Sequence, residues 1–197
     1  NDTITVINYN ARSILRKWDE LCADMHSVQA DVFCVTETWL TNPGDLALYS
    51  FRDFITFGNC RASKLGGGAM VLANPLLRSV KRNAALPSDV YNVCAVSLLG
   101  CKPQMLVVAV YIAPNAHVKD FEELFELVST IIGSSTSFLI LGDFNIHIDW
   151  TAPISNTVGG AAGELRQFIQ DYDLLQLNHE PSRSTNTLDL VMVPPLL

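Results

Sequence analysis

"ILGDFNIHID" occupies residues 140–149, directly after "SSTSF", and it decides how the rest of the chain is read. An apolar run ends at Gly142, and the next three residues are Asp143, Phe144 and Asn145. Side chains of extended backbone alternate between faces. Phe144 is therefore expected to anchor in a core, fixing the angle at which Asp143 and Asn145 point the other way. A carboxylate and an amide lifted out of the end of a hydrophobic strand need a chemical reason.

The same arrangement recurs along the chain. "ITVINYN" (4–10) alternates as a strand and ends in Asn8 and Asn10. "DVFCVTE" (31–37) is a short apolar strand closing on Glu37, and "PQMLVVAVYIAP" (103–114) carries Tyr111 near its end with Asn115 just beyond. "NTLDLVMV" (186–193) holds Asp189 between two leucines, where a carboxylate needs a partner. Taken singly, Asn8 and Asn10 fit a strand end, Glu37 a solvated loop charge, and "DFN" a turn. Only their joint placement at strand ends, converging on one patch, carries weight.

Between these strands the spacing predicts three helices, at 13–28 with Ser13 as cap, 120–132 and 163–175. Strands are predicted at 53–58 and 66–73 around a polar loop with Arg61 and Lys64, and at 91–100, in a hairpin with 103–114. The only Gly/Ala/Thr-rich loop is 151–162. The order is a strand–helix–strand start, antiparallel hairpins, then helix and strand again. It predicts an α+β sandwich in one domain spanning 1–197, sheets inside and helices outside. A dinucleotide-binding fold is unsupported, because no G-x-G-x-x-G follows the first strand.

The hydrophobic fraction of 49% excludes intrinsic disorder, and the longest strongly apolar run, 105–113, is too short for a membrane helix. Five scattered cysteines without C-x-x-C spacing argue against a disulfide framework or zinc site and for a reducing compartment, with Cys34 and Cys94 read as core. The chain does not open on Met and is read as a piece of a longer polypeptide. A net charge of −7 weighs against a broad nucleic-acid-binding face but suits clustered carboxylates that hold a cation. Residues available for phosphate contact are Arg12, Arg16, Lys17, Arg61, Lys64 and Arg183.

The chemistry that asks for this set is divalent-metal-assisted phosphoryl transfer. Mg²⁺ takes oxygen ligands, commonly one or two carboxylates with waters and substrate phosphate. A further carboxylate can take a proton from the attacking water, neutral Asn amides bond phosphate oxygens without repulsion, and a Tyr can donate to a developing oxyanion.

In order along the chain, "INYNARS", "VTETWL", "GGGAMVL", "VYIAPNA", "ILGDFNIHID" and "TLDLVMV" resemble the endonuclease/exonuclease/phosphatase superfamily. That group includes deoxyribonuclease I, abasic-site repair endonucleases and inositol polyphosphate 5-phosphatases. "NARS", "TETWL" and "GDFNIHID" resemble in particular the endonuclease domain of non-long-terminal-repeat (LINE-type) retrotransposons. The resemblance implies a four-layer α/β/β/α sandwich of two mixed sheets. It implies that Glu37 and Asn10 serve the metal, Mg²⁺ or alternatively Mn²⁺. It implies that Asn8, Asn115 and Tyr111 lie at the phosphate, that Asp143 orients or activates the water, that Asn145 binds phosphate, and that Asp189 pairs with a catalytic His. Arg12 is a further candidate for phosphate contact.

The implied function is hydrolysis of a DNA phosphodiester to a 3′-hydroxyl primer and a 5′-phosphate. DNA would be the partner, a reverse transcriptase domain would follow, and the site of action would be the nucleus. Alternatives are a phosphatase of inositol phosphates and a non-catalytic binding module. The family's closing Ser-Asp-His motif does not occur in the sequence, and His26, His117, His147 and His179 do not stand in its place. The resemblance thus implies a missing last strand, and the chain as given is expected to be catalytically crippled.

Overall fold

The computed structural model describes residues 3–61, 63–82, 88–148, 150, 159–182 and 186–195. Arg183 and most of the Gly/Ala/Thr-rich loop lie outside them. The first sheet is built from β1 (Val6–Asn10), β2 (Val32–Thr36), β3 (Ile55–Asn59) and β4 (Ala69–Ala73) in the order β1-β2-β4-β3. Its β1–β2 pair is parallel and the other two pairs are antiparallel.

The second sheet contains β5 (Ser79–Lys81), β6 (Tyr91–Leu98), β7 (Met105–Ile112), β8 (Phe138–Asp143), β9 (Leu175–Gln176) and β10 (Asp189–Val193). Their order is β5-β6-β7-β8-β10-β9, with β7 and β8 parallel and the rest antiparallel. Both sheets are mixed, as expected, and the two shortest strands, β5 and β9, had no sequence signal of their own.

Three apolar layers hold this sandwich together. Val32, Cys34 and Val71 of the first sheet meet Cys94, Val107 and Leu141 of the second, so both cysteines are core residues. Outside the second sheet lie α2 (Val118–Ile132) and α3 (Gly160–Asp171), which bury Phe121, Leu124, Phe125, Leu165 and Phe168 against it. Outside the first lies α1 (Trp18–Val28), whose Leu21 and Met25 pack with Phe33, Met70 and Leu72. Helix α2 opens with the His117 N–H donating to Asp120 Oδ2 at 2.7 Å, which caps an otherwise orphaned helix start. All five cysteines are free. Among the described residues no helix is long and apolar enough to cross a membrane.

Two helix expectations fail: α3 ends at Asp171 and not at 175, since Leu175 pairs with Val193 in β9, and α1 starts at Trp18 and not at Ser13. The backbone after β1 is already committed: Ala11, Ser13 and Ile14 donate to the carbonyls of Thr36, Glu37 and Thr38 at 3.0, 2.8 and 3.1 Å. Arg12 and Ser13 consequently adopt φ of 46° and 89°, which no helical turn can contain. This strap runs beside the segment that follows β2 and brings Arg12 to the same sheet end as Glu37.

Candidate active site

The registers of the two sheets explain why distant residues meet. In the second sheet Asn92, Tyr111, Asp143 and Asp189 stand opposite one another across β6, β7, β8 and β10. In the first, Asn10 stands opposite Thr36 at the corresponding end. Directly opposed residues have Cβ atoms roughly 5 Å apart, so each row is a ready-made line of polar groups. Between them opens a cleft of about 820 Å³ whose walls include Asn10, Arg12, Glu37, Trp39, Asp143, Asn145 and Asp189.

Gly142 makes the "GDFN" turn possible. Its φ is 143°, and a Cβ there would sit 1.8 Å from the Val110 carbonyl oxygen, so only glycine lets β8 run this close to β7. Phe144 then plunges into the outer core, 1% exposed and stacked on Phe125 at 6.5 Å. Its N–H donates to Leu188 O at 2.9 Å, which ties the turn to the approach to β10. Asn145 takes φ 48°, a left-handed conformation that Asn tolerates, and its Nδ2 donates to Ile112 O at 2.9 Å.

Asp143 is 5% exposed. It accepts from Asn10 Nδ2 at 2.8 Å and from its own loop through the Asn145 N–H at 3.2 Å. Burial, then the nearby charges of Asp189 and Glu37, push its carboxyl up to about 7. The carboxyl of Asp189 is raised as well, chiefly by burial, while Ser182, Arg12 and Asn10 draw it back down. Its Oδ1 is buried without a hydrogen-bond partner among the described residues, and its backbone is pinned by the Ser182 hydroxyl, which accepts the Leu188 and Asp189 N–H groups at 2.8 and 3.0 Å.

Glu37 sits at a φ of 56° and receives several donors. Trp39 Nε1 donates to its Oε2 at 2.5 Å, the Gly67 N–H approaches the same oxygen at 3.4 Å, and the Tyr111 hydroxyl bonds to the carboxylate as well.

Several expected residues are placed differently. Tyr111 is 2% exposed and stands behind Glu37, not in the cleft wall, and its phenol is raised first by burial and then by Glu37. Asn8 lines a neighbouring groove of about 470 Å³ with Asn10, Asn178 and Asp189, and its Oδ1 is buried without a hydrogen-bond partner among the described residues. Asn115 is exposed in the turn after β7 and does not line the cleft, although its neighbour Pro114 does.

Among the basic residues, Arg12 and Lys17 line the cleft, and Arg16 and Lys64 are exposed. Arg61 is no free phosphate contact. It is buried, donating to the carbonyls of Leu65 and Asp89, with its guanidinium 5.6 Å from the centre of the Tyr111 ring. A long side chain flanked by small residues on a glycine-rich loop packs inward more readily than the loop's polarity suggests.

Trp39, Gly67, Ser182 and Asn92 were not singled out from the sequence. Asn92 is fully buried and accepts the Gly68 N–H at 2.9 Å, which fixes the "GGG" loop under Tyr111. Its position inside a strand, flanked by Tyr91 and Val93, was the available signal.

Among the described residues no group of three or more His, Cys, Asp or Glu side chains is assembled as a cation cage. The donor set still suits a hard cation, because Mg²⁺ asks for one or two carboxylates and oxygen donors only. The charges of Asp189 and Glu37 add to burial in raising the Asp143 carboxyl, Glu37 does the same to Asp189, and a bound cation would relieve that repulsion.

Residues 7–195 match the Endonuclease/Exonuclease/phosphatase family, and the chain belongs to it. The fold is that of deoxyribonuclease I-like members, an α+β arrangement of two mixed sheets flanked by helices. Its members are typically metal-dependent nucleases or phosphatases. Among solved structures the chain is similar to the endonuclease domain of TRAS1, a telomere-specific non-LTR retrotransposon, at 15% identity and a TM-score of 0.71, covering 98% of this chain and 85% of that one. It is similar to a 3′-5′ exonuclease from Neisseria meningitidis at 15% identity and a TM-score of 0.68, covering 98% and 87%. It is also similar to a mannosyl-6-phosphatase from Bacteroides thetaiotaomicron at 13% identity and a TM-score of 0.67, covering 98% and 86%. No curated protein sequence matches.

Proposed function

We propose that this chain is the Mg²⁺-dependent endonuclease domain of a non-LTR retroelement, which hydrolyses a DNA phosphodiester to a 3′-hydroxyl and a 5′-phosphate. The observation that carries the reading is the convergence of Asn10, Glu37, Asp143, Asn145 and Asp189 on one cleft, with the Asp143 carboxyl poised near neutrality. A general base works best with a proton affinity near the operating pH.

In this reading Asp143 takes a proton from the attacking water, whose oxygen adds to phosphorus as the P–O3′ bond breaks. The 3′-oxyanion then takes a proton from solvent. Asn10 orients Asp143 through the 2.8 Å hydrogen bond, and Asn145 offers a neutral amide to the phosphate. Glu37 and the Asn10 carbonyl oxygen would hold Mg²⁺, or Mn²⁺ in its place, and the cation would neutralise charge on the phosphate oxygens. Arg12 and Lys17 at the cleft wall supply backbone contacts. The likeness to the TRAS1 domain and the "TETWL" and "GDFNIHID" motifs support DNA as substrate, a reverse transcriptase as the neighbouring domain, and the nucleus as the site of action.

The test is nicking of supercoiled plasmid with Mg²⁺, comparing the wild-type chain with Glu37→Gln and Asp143→Asn. Metal-dependent nicking lost in both variants supports the reading. Hydrolysis of inositol phosphates or sugar phosphates without nicking favours a phosphatase. No hydrolysis of any of these, either by this chain or by one extended to include a Ser-Asp-His motif, favours a binding module.

A further inference from the structure

Trp39 is two residues beyond Glu37, half-buried at the mouth of the cleft, and its backbone is unusual. Its φ is 63°, a left-handed conformation that a bulky side chain adopts only under strain. Such a conformation persists only where the surroundings over-determine it. Here the Trp39 N–H donates to Gly67 O at 2.9 Å, while the Gly67 N–H turns back toward Glu37 Oε2 at 3.4 Å. Gly67 cannot be replaced without collision, since a Cβ there would lie 2.6 Å from Tyr111 Cε1. The loop is thus clamped against the turn, and the clamp aims the indole N–H at Glu37 Oε2, 2.5 Å away. With the Tyr111 hydroxyl on the same carboxylate, Glu37 is held from behind and presents its remaining lone pairs to the cleft.

We propose that Trp39 is a positioning residue for Glu37, its indole N–H fixing the carboxylate orientation that a divalent cation requires. The inference rests on the metal-dependent reading above and deepens it. Partners that orient a metal ligand without touching the metal are worth about 10–100-fold in affinity or activity when removed. Trp39 should behave as one of them. Because its N–H and the cation share one carboxylate, its emission should also report cation loading.

Trp18 and Trp150 are the chain's other tryptophans, and replacing both with Phe leaves Trp39 as the sole indole. Mg²⁺ titration of that protein is expected to give a saturable change in emission, absent when Glu37→Gln is added. In the otherwise wild-type chain, Trp39→Phe and Trp39→benzothienylalanine, which keeps the bicyclic shape but removes the N–H, are each expected to raise the calorimetric Kd for Mg²⁺ about tenfold or more. In nicking assays both should lower kcat with little change in KM for DNA. Calorimetric Mg²⁺ binding that is normal in the wild type and unchanged in the benzothienyl variant overturns the positioning role and leaves the endonuclease reading intact. A wild-type chain that binds no Mg²⁺ overturns both.

Discussion

Replacing Asp143 with Asn should make the metal-free protein more stable at pH 8 while slowing its chemistry. The folded state raises this carboxyl from 3.8 to about 7, so the folded chain binds the proton more tightly than the unfolded one. Stability contributed by the protonated form is therefore complete below about pH 4 and is lost as pH rises towards 7. At roughly 1.4 kcal/mol per pH unit, ionised Asp143 costs the folded state about 4 kcal/mol at pH 8. Asn is neutral throughout and escapes this cost.

Against that gain stands one hydrogen bond. Asp143 accepts from both Asn10 Nδ2 and the Asn145 N–H, and an Asn carbonyl serves only one of them well, a loss of about 1–2 kcal/mol. The balance is a stabilisation of roughly 2–3 kcal/mol at pH 8, or about 4–12 °C in Tm for a chain of this size. At pH 4 the gain vanishes, the lost hydrogen bond remains, and the variant should be the less stable protein.

Thermal unfolding of both proteins in EDTA at pH 4, 6 and 8 measures this. A variant less stable than wild type at pH 8, or a difference that does not change with pH, refutes the buried, repelled carboxylate inferred from the geometry. Asp189→Asn in the same series should lower the Asp143 value and shrink the effect.

The same Asp143→Asn variant should nick plasmid about 10²–10⁴-fold more slowly than wild type, the usual worth of a positioned general base, measured with Mg²⁺ at pH 8. Gly142→Ala places a methyl 1.8 Å from a backbone carbonyl that cannot yield, and a loss of about 3 kcal/mol or more is expected in urea unfolding. Phe144→Ala removes a stacked, fully buried ring and should cost about 3–5 kcal/mol by the same measurement. Arg12→Ala should weaken DNA binding similarly across sequences and reduce its log–log salt slope by about 1, read from fluorescence anisotropy at several salt concentrations.

What the sequence determined by itself was periodicity and local chemistry. Alternating and continuous apolar runs placed eight of the strands, helical spacing placed the three helices, and "GDFN" declared its own geometry, with Phe144 in the core and two polar neighbours out. Asn10, Glu37, Asp143, Asn145 and Asp189 were legible because a polar group closing an apolar strand has few structural reasons to be there. Tertiary structure decided what those residues do to one another. The rise of Asp143 comes first from its burial and then from the charges of Asp189 on β10 and Glu37 just past β2, which lie 46 and 106 positions away in the chain. Tyr111 looked like a cleft residue, yet the register that sets it opposite Asp143 also buries it behind Glu37. Arg61 looked like a free cation, yet the glycine-rich loop folds it beneath that same ring. The helix that Ser13 should have capped gave way to a strap bonded along the segment after β2. Local spacing records which face a side chain takes, whereas charge coupling and burial depend on neighbours that only the packing of two sheets supplies.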